Sequence, residues 1–275
     1  MFDTWVTYFR ANRARQIALE QHVAWNQECL LSPTQRRAFG HSFQRFELGE
    51  NGDGRRLLAK ATAAGDPWYT EALALLVAEE QRHSALFRRG LQHLGVASLR
   101  AHWSDTAFVL LRRMLGLRTE IALFLIAESV AIGYFEALQN RAPDPVLRAI
   151  GRRVTTDEVE HLRFQIDRLR IGFAPSHRRV RVLSGIAWGV IAAGAATVLV
   201  CDHRASLRAC GLSPLAYWGQ AMRRFRAAAV SALAHPSQSL LGPSPALDRF
   251  VTLEPAPTTG PDGGAPEPTG GPGAH

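Results

Sequence analysis

Apolar positions recur at helical spacing through most of this chain, and the breaks between the runs carry capping chemistry. Residues 1–31 form a basic lead-in containing Trp5, Tyr8, Phe9 and Trp25, expected to be helical and to pack on the outside of the main body. Ser32-Pro33-Thr34-Gln35 then supplies an N-cap, a proline at the first helical position and a capping-box glutamine. Pro33 to Ala64 reads as one long helix with apolar Phe39, Phe43, Phe46, Leu57 and Leu58, weakened locally at Asn51-Gly52-Asp53-Gly54. Gly65-Asp66-Pro67 reverses the chain, and a second helix runs from Pro67 to about Leu94, stopped by Gly95. Ser104-Asp105 is read as the cap of a third helix reaching about Asn140, whose middle, Ile121 to Ala127, is apolar on every face. Pro143-Asp144-Pro145 is the second reversal, and a fourth helix follows to about Arg170.

Beyond the fourth helix the pattern changes. Val182 to Cys201 is an uncharged apolar run, long enough to cross a bilayer but rich in alanine and glycine. It is read as a buried fifth helix, with inner-membrane association as the alternative. An arginine-rich helical region follows from roughly Pro214 to Ala234. From Gly242 onward no apolar period survives, and composition predicts disorder. The expected organisation is therefore a lead-in (1–31), a four-helix bundle (32–172), additional C-terminal helices (173–241) and a Pro/Gly-rich tail (242–275), an all-α chain.

Charge and cysteine content narrow the function classes. The net charge of +8 rests almost wholly on arginine, since Lys60 is the only lysine. These cations are scattered, with no basic stripe or nucleic-acid motif, so a nucleic-acid partner is not expected. Cys29, Cys201 and Cys210 form no Cys-x-x-Cys, which disfavours a disulfide framework and excludes a rubredoxin-type iron site. No leader pattern opens the chain, and a reducing cytoplasm is the expected setting.

The candidate chemistry lies in a repeat. Glu50, Glu80 and His83 recur 78 residues later as Glu128, Glu158 and His161. Each half carries one lone glutamate, then a Glu-x-x-His whose two side chains share a helix face. Asp66 lies 16 residues after Glu50 and 14 before Glu80; Asp144 stands in the same relation to Glu128 and Glu158. At ~1.5 Å per residue all four glutamates fall roughly 21 to 24 Å from their turn, on one level of an antiparallel bundle. Two divalent ions are then expected, bridged by Glu80 and Glu158, capped by Glu50 and Glu128, with one histidine each. This donor set favours iron or manganese over structural zinc. Glu47, one turn before Glu50, is the rival for its place. Glu79, Asp157 and Glu160 are read as outer or surface groups. For Glu120 and Glu136, contact with a ligand histidine competes with surface ion pairing.

Phe46-Glu-Leu-Gly-Glu50, Glu79-Glu-Gln-Arg-His83, Ala127-Glu128 and Asp157-Glu158-Val-Glu-His161 resemble the ferritin-like diiron-carboxylate superfamily, and more narrowly bacterial ferritin-like domain proteins. The resemblance covers about residues 33 to 170. It implies two iron ions (or a Mn/Fe or Mn/Mn pair) that activate O2 or peroxide, served by an external electron donor. An oxidase or oxygenase acting on an apolar substrate, sheltered by residues such as Phe124 and Leu125, is the leading expectation; a homodimer is compatible with it. Iron oxidation for storage or detoxification is the alternative. The chain lacks the cysteine ligands of rubrerythrins and exceeds cage-forming ferritin subunits by roughly a hundred residues. No histidine stands one turn after His161, where N-oxygenases place a third. Tyr69 and Tyr134 read as core aromatics rather than radical sites.

Overall fold

The computed structural model describes residues 2–103, 115–235 and 239–243. Among them are eight helices and no strand. They are α1 (Asp3–Gln21), α2 (Pro33–Gly49), α3 (Arg55–Ala63), α4 (Pro67–Leu94), α5 (Leu117–Arg141), α6 (Pro145–Phe173), α7 (Arg178–Ala209) and α8 (Pro214–Ala232). The predicted caps form as written. Ser32 makes a full capping box with Gln35. The side chains of Asp66 and Asp144 accept from the third backbone N–H after them, at 3.0 and 3.1 Å. Gly95 ends α4 with φ +68.

Two hairpins form the centre of the molecule. α2 packs on α4 and α5 on α6, and the hairpins meet through α4 and α6. The α5–α6 crossing is close because Gly151 has no side chain: a Cβ there would lie 2.5 Å from the Gln139 backbone nitrogen. α1 lies across α4 and α6, while α7 and α8 cover α2, α5 and α6. Apolar layers flank the middle of the hairpins. On one side Phe43, Phe87, Phe135, Leu138 and Ile150 are buried together. On the other, Phe2, Trp5, Phe9, Tyr69 and Phe164 pack together, Tyr69 stacked face to face on Phe164, Phe2 meeting Tyr69 and Trp5 and Phe9 meeting Phe164 edge to face. Each such ring contributes roughly 2–3 kcal/mol by leaving water.

Three expectations need correction. The first hairpin arm is not one helix: α2 stops at Gly49, and α3 restarts after Gly54. Gly54 adopts φ +62 with its Cα pressed so near Val77 that a Cβ would sit 2.7 Å from Cγ1. Only glycine meets both demands, so the chain breaks here. The third helix is not continuous from Asp105, because Gly116 is extended and α5 begins at Leu117; the proposed cap at Ser104-Asp105 lies outside the described residues. Nor is the apolar run of α7 a buried core element. Its most apolar window is 17% buried, against 72% for that of α5. One face carrying Trp188, Ala192 and Ala196 packs inward, and the opposite face is open. The fourth helix and the last helical region appear where expected, and the tail from 244 lies outside the described residues.

α7 also brings His203 into the core, stacked on Phe46 at 4.7 Å with its Nδ1 unpartnered. Burial, then the charges of Arg45 and His102, pushes its pKa down to about 3. The unfolded chain accepts a proton near pH 6.5 that the folded chain refuses. The contribution of this residue is therefore complete above that pH and declines below it, by up to about 1.4 kcal/mol per pH unit. A His203→Phe variant should lose stability less steeply than the parent between about pH 6 and 4 in denaturant titrations. Equal slopes would contradict the buried neutral imidazole.

Candidate metal centre

The six repeated residues converge. Glu80 and His83 come from the middle of α4, Glu158 and His161 from the middle of α6, Glu128 from α5, and Glu50 from the last turn of α2. They form two overlapping groups: Glu50, Glu80, His83 and Glu158, and Glu80, Glu128, Glu158 and His161. Within each, one donor atom per residue lies within 4.8 Å of the others. Glu80 and Glu158 belong to both, as bridging carboxylates must. Glu47 belongs to neither group: it is drawn to Arg88 at 2.7 Å. Helix geometry brings Glu50 to the centre even though the helix breaks directly after it, because its own N–H still bonds Phe46 at 3.0 Å.

The histidines show how the centre is held. His83 Nε2 meets Asp157 at 2.8 Å, and His161 Nε2 meets Glu79 at 3.0 Å. Each imidazole is thus fixed by the residue that precedes the Glu-x-x-His glutamate of the other hairpin. The Nδ1 atoms turn inward. That of His83 faces Glu158 at 3.4 Å, and that of His161 faces Glu80 at 2.8 Å. With Nε2–H donating outward to an acid, Nδ1 is left as the lone-pair donor a metal requires.

Sequence reasoning missed what lies behind this pair. Asn12 of α1 donates from one amide nitrogen to both outer acids, Glu79 at 2.9 Å and Asp157 at 3.0 Å. Gln16 adds a bond to Asp157 at 3.1 Å and is itself held by Arg82 at 2.7 Å. Arg153, buried, pairs with Asp157 as well. A signal was available: Trp5, Phe9, Asn12 and Gln16 share one face of α1, so the two amides extend a buried aromatic stripe. Glu160, also buried, approaches Arg163 at 3.6 Å. Glu120 and Glu136 do not approach a histidine; they pair with Lys60 and Arg224. Gln165, one turn after His161, donates to Glu128. Tyr69 and Tyr134 are core aromatics, buried with their hydroxyls unpartnered.

Burial and mutual charge shift the titration of the cluster. Taking a carboxylate out of water costs several kcal/mol unless compensated. Burial, reinforced by the Glu80 charge, raises Glu50 and Glu158 above the usual carboxylate range. Burial and the charges of Glu158 and Glu80 do the same to Glu128. Glu80 goes the other way, to about 2, because its hydrogen bond with Glu50 and the nearby imidazoliums outweigh burial. Against burial, the acids Asp157, Glu158 and Glu80 beside the ring push His83 up to about 9, and the Glu80, Glu79 and Glu158 carboxylates around His161 raise it too. Protons thus stand in for positive charge across the cluster, a role dications fill more directly. Five inward atoms, Glu80 Oε1, His83 Nδ1, Glu128 Oε2, Glu158 Oε2 and His161 Nδ1, are buried with no hydrogen bond of good geometry. The donor set and these orphaned atoms fit a pair of metal ions.

The carboxylate side of the centre opens on a cavity of about 850 Å³, whose walls include Glu50, Glu80, Glu128 and Glu158 but neither histidine. Apolar walls come from Phe46, Leu73, Leu76, Ile121, Phe124 and Phe135, and the broken segment Gly52–Gly54 forms part of its edge. Leu125, expected beside Phe124, is buried elsewhere in the core. A third group of donor residues, Cys29, His93 and Asp144, lies at the hairpin end, where Asp144 already caps α6. No protein-family model, curated protein or solved structure matches this chain.

If Asn12 sets the two outer acids, an Asn12→Leu variant should keep its helical circular-dichroism spectrum while its affinity for Co(II), measured by chelator competition, falls ten- to a hundredfold. An unchanged affinity would show that α1 merely covers the centre.

Proposed function

We propose that this chain is a ferritin-like, non-haem dimetal protein that uses O2 or peroxide to oxidise a small apolar substrate. The observation that carries this reading is the pair of candidate ligand groups sharing Glu80 and Glu158, opened by their carboxylate side onto a cavity walled partly by apolar side chains and partly by charged ones such as Arg45, Arg55, Arg56 and Lys60. Two iron ions, or a manganese–iron or manganese pair, would supply redox chemistry and coordination positions open to an oxidant. An external electron donor belongs to the proposal, as does a cytoplasmic setting in which Cys29, Cys201 and Cys210 stay free thiols.

The residues divide the work. Glu80 and Glu158, shared by both groups, would serve both ions, Glu50 and Glu128 would each serve one, and His83 and His161 would donate from Nδ1. Glu79 and Asp157 fix the imidazole tautomers by accepting from Nε2–H. Gln165 orients Glu128 by donating to Oε1. Phe46, Leu73, Leu76, Ile121, Phe124 and Phe135 exclude water and hold the apolar part of a substrate beside the carboxylates. Iron storage without an organic substrate is the rival. It gives no role to the apolar wall of Phe46, Leu73, Leu76, Ile121, Phe124 and Phe135 beside the carboxylates, which favours the oxidase or oxygenase reading.

Protein isolated from iron-replete cells should carry about two irons per chain, as the bridged donor set demands. After anaerobic reduction, exposure to O2 should restore the oxidised absorption spectrum, and Glu158→Ala should lose both metal and spectrum. Protein that binds two irons yet never reoxidises would end the O2-activation proposal. A large iron-filled particle on size exclusion would transfer the assignment to storage.

A further inference from the structure

The open face of α7 is the largest feature that the metal centre leaves unexplained. Leu183, Ile186 and Val190 are 66%, 61% and 72% exposed, with Val180, Val182 and Ile191 exposed beside them. On a helix of 3.6 residues per turn Leu183, Ile186 and Val190 lie on the face opposite Trp188, Ala192 and Ala196, which pack inward, and the other three flank it. So large a contiguous apolar surface on a soluble chain marks a contact that the chain does not make with itself. We propose that this face docks the protein on an anionic lipid bilayer, with α7 lying in the plane of the interface.

Charge selects lipid over a second copy of the chain. The ends of α7 carry exposed Arg178 and Arg179 at one side and exposed Arg204 and Arg208 at the other. The helix has one acid, Asp202, and that is taken by Arg45 at 3.4 Å. Two copies meeting through α7 would set arginine against arginine in either orientation, with no acid on the helix free to answer. A surface of anionic headgroups answers all four, while the branched side chains between them reach the acyl boundary. Crossing the bilayer is a different matter: lipid would have to surround α7, yet Ala192 and Ala196 are fully buried, and the helix packs on α2, α5 and α8. Only the outward face can meet lipid. This inference does not depend on the metal centre.

Co-sedimentation of the full-length, metal-loaded protein tests it, using vesicles of phosphatidylcholine alone or mixed with phosphatidylglycerol. The protein should pellet with the mixed vesicles and be released by salt. Arg178→Gln with Arg179→Gln should weaken binding to them roughly tenfold or more. Ile186→Gln with Val190→Gln should weaken it similarly while leaving metal content and circular dichroism unchanged, the substituted positions being exposed. Protein that stays in the supernatant with both vesicle types overturns the proposal, as does binding that neither double variant affects. A dimer in sedimentation velocity that the Ile186/Val190 variant abolishes, without vesicle binding, would assign the face to a second copy instead.

Discussion

Each ligand histidine is anchored by an acid from the opposite hairpin, and the rest of the centre depends on that exchange. His83 of α4 is fixed by Asp157 of α6, and His161 of α6 by Glu79 of α4. The bonds tie the two hairpins at the level where six polar ligands would otherwise force them apart. They also fix which ring nitrogen faces the cluster, because with Nε2 turned to the outer acids Nδ1 points at Glu158 and Glu80. Asn12 closes the arrangement from α1, one amide nitrogen spanning both acids. A helix outside the repeat has thus become part of its support.

The second constraint is the interruption after Glu50. A continuous first arm would carry side chains past the carboxylates and close the bundle over them. Instead α2 ends, the chain passes through Gly52 and Gly54, and α3 resumes alongside α4 and α5. The cavity reaches the bridging carboxylates beside this gap. The left-handed Gly54, fitted against Val77, makes the break a fixed part of the fold.

Much of this was legible in the sequence. The cap at Ser32 and the Asp-Pro reversals at Asp66 and Asp144 located three helix starts, because these signals are local chemistry between neighbours. The spacing of Glu50, Glu80, His83, Glu128, Glu158 and His161 anticipated their convergence, because equal distances from two turns impose one level. What stayed hidden depends on tertiary packing. Glycines at 52 and 54 looked like a weakness in a helix, since nothing local shows Val77 pressing on the turn. Asn12 and Gln16 looked like lead-in, since their partners lie far along the chain. α7 looked buried by composition, but composition does not reveal how many neighbours surround a helix. Glu120 and Glu136 have the right spacing to approach the centre, and Lys60 and Arg224 take them elsewhere.

The account stands on two ions sharing Glu80 and Glu158. Anomalous diffraction from crystals of iron-loaded protein, collected at the iron edge, tests that directly. It should show two peaks roughly 3.5–4 Å apart between those carboxylates, one on the His83 side and one on the His161 side. A single peak, or peaks outside this layer, would contradict it.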